Sequence, residues 1–163
     1  MGKADFLKDL IKKGKLEMVE PSEEIKESYI HKSESHLESA SILLEKGKLE
    51  ESVSMAYYSM YHMLTALLFR VGIKCENHTA SIILLKRIFG IDNSFIFKIK
   101  DERVEKQYYV SFEIEEKDVR DLIKDAEEFN GKMLDFISRL NSERIGACRR
   151  NAEDFLRNIR NES

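Results

Sequence analysis

The sequence predicts an all-α protein: an antiparallel up-down bundle of four or five helices with short extra helices. Three observations carry this. Pro occurs once, at Pro21, with seven Gly and no Trp in 163 residues, too few turn formers for a many-stranded β fold. Apolar residues make up 42% and charged residues 35%, rich in Leu, Ile, Glu and Lys, the make-up of an ordered helical chain. Two long segments also step their apolar residues alternately by three and four, the spacing that keeps one helix face on a partner.

The elements follow in chain order. Ala4–Lys13 is a short amphipathic piece with Phe6, Leu7, Leu10 and Ile11 on one side, and Gly14 and Pro21 bracket a break. A first long helix runs from about Ser22 to Lys46, with Gly47 as its stop. Its inward stripe reads Ile25, Tyr29, His36, Ala40, Leu43 and Leu44, polar through the middle, and Lys32 and His36 among apolar neighbours suit a cleft-lining surface. The second long helix, about Leu49–Val71, carries Val53, Tyr57, Met60, Leu64, Leu67 and Val71 in one seam and ends at Gly72. Asn77–Phe89 is a shorter helix closed by Gly90. Residues 91–112 stay open between strand and helix at Phe95, Ile96, Phe97 and Ile99, because short apolar runs fit both. About Glu115–Leu140 is the last clear helix, with Val119, Leu122, Ala126, Phe129, Met133, Phe136 and Leu140 inward. A tail helix, Glu143–Arg160, follows with Ile145, Cys148, Phe155 and Ile159 inward. The expected organisation is a bundle over residues 1–140, its core at about 22–140, with a C-terminal helical extension over 141–163.

A net charge of −3 provides no global field for nucleic acid or anionic membrane, so such contacts need a local patch. Cys75 and Cys148 cannot make a disulfide framework or a Cys-rich zinc site, and read as idle thiols of a reducing compartment. Met1–Lys15 carries Asp5 and Asp9 and lacks the apolar core of a signal peptide; the expected location is the cytoplasm. Val53–Phe69 has no formal charge, but its tyrosines, serines and His62 fit a central bundle helix better than a membrane span.

No Gly-rich phosphate loop, His-x-x-x-His pair or Cys-x-x-Cys pair is present, so neither a metal nor a cofactor is expected. His31 and His36 are five residues apart, about 140° around a helix, and are not expected to share a ligand. His62, beside Tyr58 and Tyr61, reads first as a hydrogen-bonded core histidine, and His78 as a capping or loop residue. The segment 101–110 puts Arg103 near Tyr108 and Tyr109, a guanidinium and phenols suited to a phosphate and a base. Solvated helix-surface charge accounts for Glu102, Glu105 and Lys106 equally well.

Leu43-Leu44-x-x-Gly47, then Ala56-Tyr-Tyr-Ser-Met-Tyr-His-Met-Leu-Thr-Ala-Leu-Leu68, then Gly72 and His78, resemble a HEPN domain, most of all the small stand-alone HEPN proteins of archaea and bacteria. The resemblance covers about Tyr29–Leu140. It implies a homodimer, often paired with a minimal nucleotidyltransferase as toxin and antitoxin. Many HEPN proteins are metal-independent ribonucleases with an Arg-x(4–6)-His motif at the dimer cleft. Arg103 matches that Arg, but Tyr108, Tyr109 and Val110 stand where the His should fall, and no His follows His78. A phenol with a pKa of about 10 is a poor base at neutral pH. The resemblance therefore implies a non-catalytic module that binds a nucleotidyltransferase partner, and nucleotide or RNA through Arg103, Tyr108, Tyr109, His62 and His78. In some paired systems the partner transfers nucleotidyl groups to a Tyr near the motif, which makes Tyr108 and Tyr109 candidates. The alternative is a divergent ribonuclease using Arg103 with Tyr108, His62 or His78.

Overall fold

The computed structural model describes residues 2–105 and 113–162. Seven helices and one small ribbon follow in the order α1 (Lys3–Lys12), β1 (Leu16–Met18), α2 (Glu23–Glu45), α3 (Leu49–Val71), β2 (Ile73–Cys75), α4 (His78–Phe89), α5 (Ser94–Lys98), a π-helical segment (Ile99–Glu105), α6 (Glu116–Ser138) and α7 (Ser142–Asn161). The all-α bundle expected from the sequence is what forms, with helix ends set by local chemistry. Ser22 and Asn77 accept the backbone N–H groups of Ile25 and Ala80, satisfying donors that the first helical turn leaves without a partner.

Helix α3 is the axis of the molecule and packs against α2, α4, α6 and α7. Its seam is fully buried, including Val53, Met60, Leu64 and Leu67, and Ala56 and Ala66 bury the flanks. Within residues 91–112, open in the sequence, 94–105 are helical, with Ile96 and Ile99 buried against α3.

Three expectations need correction. Two three-residue strands went unforeseen: β1 and β2 pair antiparallel, with Leu16 opposite Cys75 and Met18 opposite Ile73. Strands this short carry no readable alternation. The inward stripe of α2 is rotated: Ile30, Ser33 and Ala40 are buried, whereas Ile25 is 39% exposed. The cause is a serine contact. Ser33 Oγ donates to Ser59 O and Ser59 Oγ to Ser33 O, both at 2.7 Å, and Asn130 Nδ2 of α6 donates to Ser59 Oγ at 2.9 Å. These small hydroxyls let α2 and α3 approach closely while satisfying every hydroxyl donor. In α6 the buried line includes Ile123, Asn130 and Ile137, and Phe129 and Phe136 are only half-buried, lining a groove of about 640 Å³ with Phe95.

Helix α7 packs against α1, α3 and α4, and its Arg149 ties it to the end of α3 and the exit of β1. Arg149 Nη1 donates to Val19 O at 2.8 Å and to Val71 O at 2.9 Å, with Gly72 O at 3.3 Å. The guanidinium thus caps the C-terminal carbonyls of α3 and holds the exit of β1. Gly72 has φ 83°, and a Cβ there would collide with Arg149 Nη1 and Val19 O. Only glycine serves this turn.

Candidate functional site

The tyrosine-rich stretch of α3 builds the site by helical periodicity. Tyr57 and Tyr61, and Tyr58 and His62, are each four residues apart and so form two neighbouring columns on one side of the helix. Helix α4 opens beside them, and its first residue, His78, turns back onto α3. His78 Nδ1 and Tyr57 OH are hydrogen-bonded at 2.9 Å. The His78 ring stacks on Tyr61 at 3.7 Å between centroids and meets the edge of Tyr58 at 6.1 Å.

Helix α2 supplies the other wall. His36 lies 4.8 Å from His62 and 6.4 Å from Tyr58, ring to ring, and Tyr29 lies 5.7 Å from both His62 and Phe69, stacked on the latter. Lys32 Nζ stands 5.5 Å over the Tyr29 ring, within cation–π range. His36 Nδ1 contacts the Lys32 carbonyl at 2.7 Å; a carbonyl only accepts, so Nδ1 carries the proton. Rings from three helices thus form one continuous surface running from Phe69 to His78.

Its burial is uneven. Tyr57 is 1% exposed, whereas Tyr29, His36, Tyr58, His62 and His78 are only half-buried. Burial, assisted by the nearby His36, Lys32 and His78, pulls the His62 pKa down from 6.5 to about 4. His62 is therefore neutral at pH 7. Its Nδ1 is buried and has no hydrogen-bond partner among the described residues, in contrast to the hydrogen-bonded core histidine expected from sequence. Burial also pushes the Tyr61 phenol and the Cys75 thiol up, so neither is a ready nucleophile.

The structure thus brings His62 and His78 together around Tyr58 and Tyr61. Arg103 belongs to the π-helical segment, which packs against α3; its side chain, and Tyr108 and Tyr109 altogether, lie outside the described residues. Sequence reasoning did not single out Tyr29, Tyr57 or Tyr58 as site residues. The doubled tyrosine was a visible signal for two of them, whereas Tyr29 becomes a neighbour only through the α2–α3 packing. Among the described residues, no group of three or more His, Cys, Asp or Glu is placed to hold a metal ion, and no helix is long and apolar enough to cross a membrane.

A UPF0332 protein of Pyrococcus horikoshii is 43% identical over 76 residues, 45% of this chain and 51% of that protein, so the match spans about half the relative's length. A UPF0332 protein of Thermotoga maritima is 29% identical over 125 residues, 72% of this chain and 92% of the relative. A Methanocaldococcus jannaschii protein whose name marks it as a candidate toxin is 27% identical over 110 residues, 63% of this chain and 81% of the relative. The family model described as the HEPN domain matches residues 26–136, a span that takes in the ring surface and runs from the first turn of α2 to the last turn of α6. With that match over most of its length, the chain belongs to the HEPN domain family.

Proposed function

We propose that this chain is the HEPN module of a toxin–antitoxin-like pair, a cytoplasmic homodimer that engages a minimal nucleotidyltransferase and binds RNA or nucleotide without cutting it. The observation that carries the reading is the half-buried ring surface. Unpaired bases bind proteins by stacking on such rings, at about 1–3 kcal/mol per base. Lys32 stands at its edge to meet a phosphate, with Arg103 the second candidate phosphate contact. Family membership and the candidate-toxin name of the Methanocaldococcus relative support the paired role.

Cleavage is disfavoured by the chemistry of the groups at hand. RNA cleavage needs a base and an acid poised near neutral pH. His62, with a pKa of about 4, is a poor proton donor at pH 7, and the His78 ring nitrogen is engaged by Tyr57. Tyr108 and Tyr109 are then the candidates for nucleotidyl modification by the partner enzyme.

The test is one incubation with end-labelled single-stranded RNA, read by anisotropy and then on a denaturing gel. Binding with the strand intact, weakened about tenfold by Tyr58→Ala and spared by Tyr58→Phe, is the expected result. Cleavage that disappears in Arg103→Ala would establish the ribonuclease reading instead. No binding at tens of micromolar protein would overturn the RNA part of the proposal.

A further inference from the structure

We infer that the ring surface takes an extended single strand of RNA, about four nucleotides of it with one base to each ring, in preference to a mononucleotide or a duplex. This rests on the RNA-binding reading above and names the form of ligand that the same site selects. Tyr58, His62 and Phe69 follow one another by four and seven residues and so lie along one stripe of α3. At a rise of about 1.5 Å per residue the stripe is about 17 Å long. Tyr29 of α2 lies between His62 and Phe69, 5.7 Å from each. His62 is in turn 6.5 Å from Tyr58. Three steps of this size match the length of the stripe, so the rings run straight along α3 and do not double back. All four are half-buried, and each keeps contact with solvent.

The spacing selects the ligand. In a helical strand successive bases sit about 3.4 Å apart. Rings 5.7 to 6.5 Å apart receive successive bases only from a strand drawn out to nearly twice that rise, with its bases lifted off one another. A duplex cannot supply such bases, because they stay paired and stacked within it. The protein rings replace the stacking that the strand gives up, and because every base has a π-face they do so with little regard to sequence.

A mononucleotide suits the row poorly for the opposite reason. Small-molecule sites are concave and bury most of their ligand, whereas a single base here covers one ring and leaves the others in water. Charge agrees with a ligand held chiefly by its bases. Lys32 stands 5.5 Å over the Tyr29 ring, inside the row. Arg70, next to Phe69 in the chain, is already paired with Glu23 at 2.7 Å. Few phosphates are therefore neutralised along the row, and affinity should depend only weakly on salt.

The test is a competition series with oligouridylates of one to eight nucleotides, which stack little on themselves, beside a blunt RNA duplex of eight base pairs. Each added nucleotide is expected to tighten binding about fivefold or more up to about four, after which the gain flattens. Uridine monophosphate and the duplex should fail to compete at concentrations where the tetramer saturates. The slope of log affinity on log salt should stay shallower than about −2, the value for three phosphate contacts. Phe69→Ala and Tyr58→Ala, at the two ends of the row, are each expected to weaken the tetramer about tenfold and the dinucleotide little, since two neighbouring bases still find intact rings. If both variants keep the wild-type helical spectrum and weaken the two lengths alike, the row is refuted. A monophosphate that binds as tightly as the tetramer, or a duplex that competes equally, would refute the extended strand while leaving a nucleotide-binding surface standing. Affinity that climbs evenly to eight nucleotides with a steep salt slope would refute it as well, being the mark of a charged groove. Absence of binding by every oligonucleotide would overturn this inference and the RNA reading together.

Discussion

His62 gives the sharpest quantitative test of the site, because its burial fixes both the sign and the pH window of an effect on stability. In the unfolded chain the ring titrates near its ordinary 6.5; in the fold, burial beside His36, Lys32 and His78 lowers this to about 4. Above pH 6.5 the ring is neutral in both states and costs nothing. As pH falls from 6.5 towards 4, the unfolded state takes up a proton that the folded state refuses, so stability drops, and below about 4 the loss levels off. Each pKa unit corresponds to about 1.4 kcal/mol. The full displacement would give about 3 kcal/mol, and because the ring keeps some contact with water, about 1–2 kcal/mol is the working expectation. Urea denaturation of wild type and His62→Gln at pH 7.5, 5.5 and 4 isolates the term, since carboxylates elsewhere titrate alike in both proteins. Wild type should lose about 1–2 kcal/mol more than the variant across that range. Parallel stability curves, or a His62 ring resonance titrating above pH 6, would refute the reasoning.

Three further outcomes follow from the same structure. Arg149→Met should cost about 2–4 kcal/mol, because the Val19 and Val71 carbonyls lose their guanidinium donor, and calorimetry should show a drop of roughly 4–16 °C in melting temperature. Gly72→Ala should destabilise by more than the roughly 1 kcal/mol of a left-handed alanine, because its methyl also collides with Val19 O and Arg149; equal stability by chemical denaturation would show that the turn relaxes freely. Tyr57→Phe should cost about 1 kcal/mol, since it deletes the hydroxyl bonded to His78 Nδ1; equal stability by urea denaturation would mean that the contact does not hold in solution.

Helix boundaries were legible where a side chain or glycine sets them locally: Ser22 and Asn77 at starts, and Gly47, Gly72 and Gly90 just after ends. The α3 seam was legible because its partners on every side are apolar, so hydrophobicity and burial coincide. In α2 they separate. Ser33 is buried because two serine hydroxyls exchange bonds with two backbone carbonyls, and no hydrophobic pattern encodes that; Ile25, counted by type, reads as inward, yet it is exposed. The ribbon was illegible because three-residue strands exist only by tertiary placement. As for the site, the doubled tyrosine and the two histidines stood out as residue types, but their adjacency did not. His36 reaches His62 across two helices, and His78 reaches Tyr57 across 21 residues.

That last contact shows how residues outside the family-matched span shape the site within it. The chain leaves α3 through Gly72, runs three residues as β2, turns at Asn77 and delivers His78 to Tyr57 and Tyr61. A connection this short fixes the position of His78 only if its path is fixed. Two things fix it: pairing of β2 with β1, which lies at residues 16–18, and the Arg149 guanidinium from α7, which bridges the end of α3 to Val19. Both lie outside residues 26–136. The rings that a bundle core would simply bury are instead held half-open at set angles. Holding them requires a rigid support behind α3, and the ribbon and α7 supply it from the two ends of the chain. The N-terminal strand and the C-terminal helix therefore act as a brace for the α3–α4 turn, and ring geometry at His78 depends on contacts made well outside the ring surface itself.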